Sequence, residues 1–282
     1  MKRIIVFYIF CCFSFFVSAQ CTSDALKENN ALVFKSGESL TYNGYYNWGF
    51  IWVKAGIVNF QTTVDNDIYN IKSVCSSCKA WDWFFKLRDT ITTSGNVNTF
   101  KPNKFLRVVH EGSYRARFDY VFNYDSAHIV SNGFKKKDVF VNKKIKLDTP
   151  AMDIITFAWY VRNIDFDKHV YNEKIPVRLI ISNDIYNLYI RYKGIEKIKL
   201  KTGERVECYK FSPMLIKGTT FNGGEKMFVW ITKDRNRVPV MVQAEVVVGS
   251  VKAVLSSYKN IKYTSEIFPS ESGSMGSDVS DR

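Results

Sequence analysis

Apolar and polar residues alternate along most of this chain with the two-residue period of half-buried strands. Ser39–Tyr46 (SLTYNGYY), Gly56–Val64 (GIVNFQTTV) and Ile68–Val74 (IYNIKSV) show the alternation together with β-branched and aromatic enrichment. Asp65-Asn66-Asp67 is a turn signal between the last two. The same pattern predicts strands over Phe105–His110, Tyr114–Tyr124, His128–Asn132 and Val139–Asn142. After one interruption it resumes over Ile175–Ser182, Tyr186–Tyr192, Ile195–Lys201, Arg205–Ser212, Met227–Thr232, Val238–Val248 and Val251–Tyr258. Short strands in sequence joined by tight turns imply antiparallel hairpins.

The interruption reads as a helix over Ala151–Arg162. Asp148-Thr149-Pro150 supplies a capping side chain and then proline for the first helical position. Ile154, Phe157, Ala158 and Val161 form one stripe, and Met152, Ile155 and Trp159 cover most of the rest. A helix apolar nearly all round is a buried helix. An antiparallel sheet encloses such a helix only by curling over it. The expected fold class is therefore mainly β: a strongly curved antiparallel sheet, or partly open β-barrel, wrapped around one buried helix that is the hub of the core, with Trp159 as its large buried aromatic. A second short helix is expected at Lys79–Leu87.

The ends differ from the middle. Lys2 and Arg3, an apolar run from Ile4 to Phe16, and Val17-Ser18-Ala19 have the order of a secretory signal peptide cleaved after Ala19, with an apolar core too short to span a bilayer. Gln20 before Cys21 lacks the small side chain that a lipidation site requires. Residues 20–32 read as an irregular lead-in, 33–263 as a single β-rich domain and 264–282, rich in Ser, Gly and acids, as a disordered tail. The expected location is the periplasm or outer cell envelope.

With the order of the strands in place, the chain resembles the exported envelope proteins grouped as domain of unknown function 3108. The resemblance rests on Gly37-Glu38-x-Leu40-x-Tyr42, Ala55-Gly56, Arg88-Asp89, Pro102, Arg107, Glu111-Gly112, and the Asp153 helix ending in Arg162. It continues through Gly194, Gly203, Cys208 and Pro213 to Trp230-Ile231-Thr232-x-Asp234-x-x-Arg237-x-Pro239 and Gly249-Ser250. It runs from about Phe34 to Tyr263. It implies export and a β-rich fold akin to the half-open barrels of periplasmic lipoprotein carriers, and it implies no activity. Cys75 and Cys78 fall outside it.

Candidate chemistry is sparse. No Gly-x-Ser-x-Gly elbow, phosphate loop or dinucleotide fingerprint occurs, and His110, His128 and His169 stand in no signature. Asp89, Asp153 and Asp234 are the carboxylates that a glycoside-type hydrolase would need, but each has a structural reading. Asp153 suits a helix start, Asp89 an ion pair with Arg88 or Arg162, and Asp234 a turn. The spacing of Cys75 and Cys78 suits a local disulfide without metal, since no second ligand pair is visible. Cys208 reads as a small apolar strand residue. No cofactor is expected.

The formal charge of +13 comes from 40 basic and 27 acidic residues. Many lysines alternate with apolar residues, as in Lys197-Ile198-Lys199-Leu200-Lys201, and so line the wet faces of strands. Export makes nucleic acid an unsuitable partner; anionic lipid head groups or acidic glycans suit the charge. Trp48 and Trp52, and the cluster Trp81, Trp83, Phe84 and Phe85, are the candidate ligand-binding residues, the second group as a lip or gate. The leading expectation is a monomeric, non-catalytic envelope protein that holds a lipid or other amphipathic molecule in the concavity of its sheet. A module contacting envelope glycans or proteins through its basic faces is the alternative, and a carboxylate hydrolase a further one.

Overall fold

The computed structural model describes residues 32–48, 51–83, 86–200, 202–217 and 222–275. The signal-like segment, Cys21 and the lead-in up to residue 31 lie outside the described residues, as do Phe84, Phe85 and the side chain of Trp48.

The first half of the chain is a meander of eight strands: β1 (Ser39–Trp48), β2 (Ile51–Asp65), β3 (Ile68–Ser77), β4 (Arg88–Asn96), β5 (Pro102–Glu111), β6 (Tyr114–Asn123), β7 (His128–Lys135) and β8 (Asp138–Lys146). The helix α1 (Ile154–Asn163) follows. The second half holds β9 (Lys174–Ile181), β10 (Asp184–Lys199), β11 (Arg205–Pro213), β12 (Leu215–Lys217), β13 (Asn222–Gly224), β14 (Met227–Thr232), β15 (Pro239–Glu245), β16 (Ser250–Lys259) and β17 (Gly273–Ser274).

All but β12 and β13 join one antiparallel sheet in the order β8-β7-β6-β5-β4-β3-β2-β1-β16-β15-β14-β11-β10-β9, with β17 added to β16. The two meanders are thus stitched by β1 and β16, and the sheet remains open with β8 and β9 as its edges. The chain crosses from one edge to the other through α1. That crossing puts the helix on the concave side, where eight of its ten residues are buried. The open, curled sheet around one buried helix is the architecture expected from the alternation.

Local details differ from expectation. Asp153, not Asp148 or Thr149, caps α1: its Oδ1 accepts from the backbone N–H groups of Ile155 and Thr156 at 2.9 and 3.0 Å. Ala151 and Met152 precede the helix, and Met152 instead exchanges backbone bonds with Arg178 and Ile180 beside β9. Strand β4 is absent from the hydrophobic alternation because its inward positions include Asp89 and Thr93, which are polar yet buried. Among the described residues, the helix expected at Lys79–Leu87 is a single 3-10 turn, Lys79–Trp81. The tail expected to be disordered from Thr264 is packed as far as Met275. Phe268 is fully buried edge-on to Tyr258 at 4.8 Å, and β17 pairs with β16.

A buried ion pair ties these parts together. Arg162, in the last turn of α1, donates from both terminal nitrogens to Glu38 at 2.6 and 2.9 Å, and neither side chain is more than 1% exposed. Its remaining N–H groups reach the carbonyls of Asn236 and Arg237 at 3.2 and 3.1 Å. Arg237 in turn donates to the carbonyl of Ile164 just past the helix. Removing one partner strands the other charge in the core. Glu38→Gln is therefore expected to lower unfolding free energy by about 3–5 kcal/mol. Replacing both residues by Met should recover most of that loss. Urea melts of the three variants check it, and a loss below about 1 kcal/mol for Glu38→Gln would place the pair outside the cooperative core.

Candidate functional site

Alternation on strongly paired strands makes two parallel rows on the concave face. Leu255, Tyr42, Val58, Cys75 and Asp89 are successive register partners across β16, β1, β2, β3 and β4. The adjacent row runs Leu40, Phe60, Ser73, Ile91 and Arg107 across β1 to β5. On the other side, β11, β14 and β15 contribute Phe211, Met227, Val229, Ile231, Val242 and Ala244. The helix sits over both with Ile154, Ile155, Phe157, Ala158, Trp159 and Val161.

The packing between these layers is incomplete. A cavity of about 220 Å³ remains, with an almost wholly apolar wall. Phe60, Ile154, Ala158, Val229, Val242 and Val251 line it and are only half-buried although they face inward. Arg162 borders one end, braced by Glu38 and lying 5.5 Å over the Trp159 ring. Lys252 borders the β16 side, half-buried and 4.3 Å over the Trp52 ring.

A buried acidic pair lies along the β4–β5 side. Asp89 lines the cavity and accepts the His110 backbone N–H at 2.7 Å, and the Glu111 carboxyl lies within reach of its charge. Burial first, and the Asp89 charge second, raise the Glu111 carboxyl to about 8, against the attraction of Arg107 3.9 Å away. Glu111 therefore holds a proton at neutral pH.

The three candidate hydrolase carboxylates do not converge. Asp153 is committed to its cap and accepts hydroxyl bonds from Thr93 and Thr156 at 2.7 and 2.6 Å. Asp234 accepts from Thr232, Asn236 and Arg237 within its turn and from Ser265 beyond β16. Asp153 meets β4 at Thr93, four residues along from Asp89, roughly 13 Å by strand rise. The expected pairing of Asp89 with Arg88 or Arg162 also fails. Arg88 bonds Asp82 at 2.5 Å, and Arg162 is occupied by Glu38.

Cys75 and Cys78 are free thiols rather than a disulfide. Cys75 lies in β3 and Cys78 is still extended at ψ 141, so three strand steps separate their Cα atoms by roughly 10 Å. A disulfide needs about 4.4–6.8 Å. Among the described residues no group of three His, Cys, Asp or Glu side chains could hold a metal ion. Cys208 is buried, and burial pushes its thiol up to about 12.

The expected gate is displaced from the cavity. Trp81 donates its indole N–H to the Lys54 carbonyl at 3.0 Å, Trp83 is 82% exposed, and neither lines the wall. Trp52 reaches the cavity only through Lys252. Glu38, Glu111 and Lys252 were overlooked as site residues. A signal for the first two exists: Glu38 precedes Leu40 and Tyr42, and Glu111 follows Phe105, Arg107 and Val109, at the same inward-facing period. A charge at an inward position marks a buried polar partner.

A family model for proteins of unknown function, DUF3108, matches residues 41–256. The chain belongs to the DUF3108 family. No curated protein matches it. A β-barrel-like protein of domain of unknown function DUF1849 from Brucella abortus superposes with a TM-score of 0.53 at 10% identity, over 79% of this chain and 96% of its own. That likeness establishes a β-barrel-like fold. A structure of YmcC-like fold from Bacteroides fragilis matches at 12% identity and a TM-score of 0.32, over 88% of this chain and all of its own. Within this DUF3108 chain, the motif residues Glu38, Arg162 and Arg237 meet in a buried polar knot that the half-buried Asp234 borders.

Two outcomes follow from this geometry. Alkylation of denatured, unreduced protein should label Cys75, Cys78 and Cys208, and a Cys75–Cys78 bridge recovered by peptide mapping would contradict the strand geometry. Because Glu111 has a folded pKa of about 8 against an ordinary 4.5, the folded state binds the extra proton between those values. Its contribution to stability is full below about 4.5 and is lost as pH rises through 8. Glu111→Gln should flatten the fall in unfolding free energy between pH 5 and 8 by roughly 1–3 kcal/mol, read from urea melts across pH.

Proposed function

We propose that this DUF3108 protein is an exported, non-catalytic component of the cell envelope that binds an apolar or amphipathic molecule between α1 and the concave sheet. The observation that carries the reading is the cavity of about 220 Å³ walled by apolar side chains at the heart of the fold. Interiors are normally packed without such voids, so an apolar space of this size stands as lost dispersion contact unless something fills it. Export is supported by the signal-like order of residues 1–19.

Size and polarity narrow the ligand. An engineered apolar cavity of about 150 Å³ accepts benzene, whereas sites for drug-sized molecules start near 300 Å³. A single acyl chain or a small ring system fits that range better than a whole diacyl lipid. Lys252, half-buried on a Trp52 ring at the cavity border, supports an anionic head group on that molecule.

Fluorescent fatty-acid uptake by the mature protein tests this. Ala158 lies on the wall, so Ala158→Phe should fill the space and weaken uptake at least tenfold with little change in melting temperature. Trp83→Ala, far from the wall, should leave uptake intact. A wild type that takes up no probe and retains no ligand in native mass spectrometry from its own envelope would overturn the reading.

A further inference from the structure

The sheet keeps one edge open at β8, and this edge is unusual in composition. Residues 135–146 read KKKDVFVNKKIK, with six lysines against Asp138 as the lone acid. All six lysines are exposed, and no ion pair among the described residues engages them. Val139 and Val141 stand two residues apart, so they point the same way, and they are 74% and 72% exposed. Phe140 points to the opposite face and stacks on Phe118 at 5.8 Å, which anchors the strand from behind.

Edge protection explains the lysines but not the valines. An exposed edge is usually blunted by charge so that no foreign strand pairs with it. That purpose is served by polar residues at positions 139 and 141, yet these positions carry bare apolar side chains ringed by cations. The turn itself places Lys136 at φ 57°, a left-handed position where Asn or Gly is the usual occupant. Positive charge is thus kept at the tip where the backbone favours another residue.

We propose that the β7–β8 hairpin docks on a lipid bilayer whose surface carries anionic head groups. The lysines meet the phosphates, and Val139 and Val141 enter the boundary between head groups and acyl chains. The combination fits a membrane surface: cations draw the protein to the interface, and short apolar side chains gain only by leaving water there. The proposal is independent of the cavity reading, since it rests on a different face of the molecule.

Vesicle co-sedimentation of the mature protein tests it, comparing phosphatidylcholine vesicles with vesicles containing one third phosphatidylglycerol. Anionic vesicles should bind at least tenfold more tightly, and binding should weaken as salt shortens the range of the attraction. Each lysine near such a surface is worth about fivefold in affinity. Lys136→Glu/Lys137→Glu should therefore lose more than tenfold, and Val139→Asp/Val141→Asp should lose severalfold. Val139→Trp provides a readout that tolerates small changes in stability: its emission should shift to the blue on anionic vesicles and stay unchanged with phosphatidylcholine. No binding to anionic vesicles would overturn the proposal and leave the hairpin as a protected edge. Binding that is insensitive to the valine substitutions, with equal affinity for polyglutamate, would overturn it in favour of an acidic protein partner.

Discussion

A guanidinium sealed from water needs partners for its N–H groups, and the bonds Arg162 makes join three distant stretches of chain. Glu38 comes from the approach to β1, the carbonyls of Asn236 and Arg237 from the turn between β14 and β15, and Arg162 itself from the end of α1. Such a pair adds little net stability over a well-packed apolar substitute, because both charges are desolvated. What it adds is a unique seating: a helix rotated or shifted by one residue would leave a bare charge in the core. Arg237 reinforces that seating by donating to Ile164 and Asp165 just beyond the helix.

The seated helix determines what the concave face can hold. Two adjacent rows of inward side chains run across β1 to β4, and α1 stands over them at a height set from its Arg162 end. Trp159 lies against Phe60 at 5.3 Å, and both rings border the cavity. Ala158 and Ile154 face the unfilled volume. Ala158 is the shortest side chain that the helix turns to this volume.

The open architecture has two costs, handled differently. Along the β9 edge, Arg178 and Ile180 exchange backbone bonds with Met152 of the crossing segment and the Arg178 side chain donates to the Thr149 carbonyl, so that edge is partly covered. The β8 edge is left to solvent and carries charge instead. Inside, Glu111 is tolerated beside Asp89 because burial and the neighbouring charge keep its own carboxyl neutral.

The alternation by itself determined the class of fold, since a two-residue period over a dozen segments leaves antiparallel pairing as the economical solution. It also determined that the helix is buried, because Ile154 to Val161 are apolar on nearly every side. Strand β4 was hidden, as its inward Asp89 and Thr93 break the hydrophobic period while remaining buried. The helix start was misplaced by the Asp148-Thr149-Pro150 signal, because the backbone pairing of Met152 with β9 delays the helix until Asp153. Which charges pair was a matter for tertiary structure alone: Glu38 and Arg162 are 124 residues apart, and local spacing carries no record of who meets across a curled sheet. The same holds for Cys75 and Cys78, whose short spacing suggested a bond that extended backbone geometry forbids. The position of the cavity rather than of the aromatic cluster was decided likewise. Trp81 and Trp83 announce themselves in sequence, whereas an alanine facing a void becomes visible only once the surrounding strands are in place.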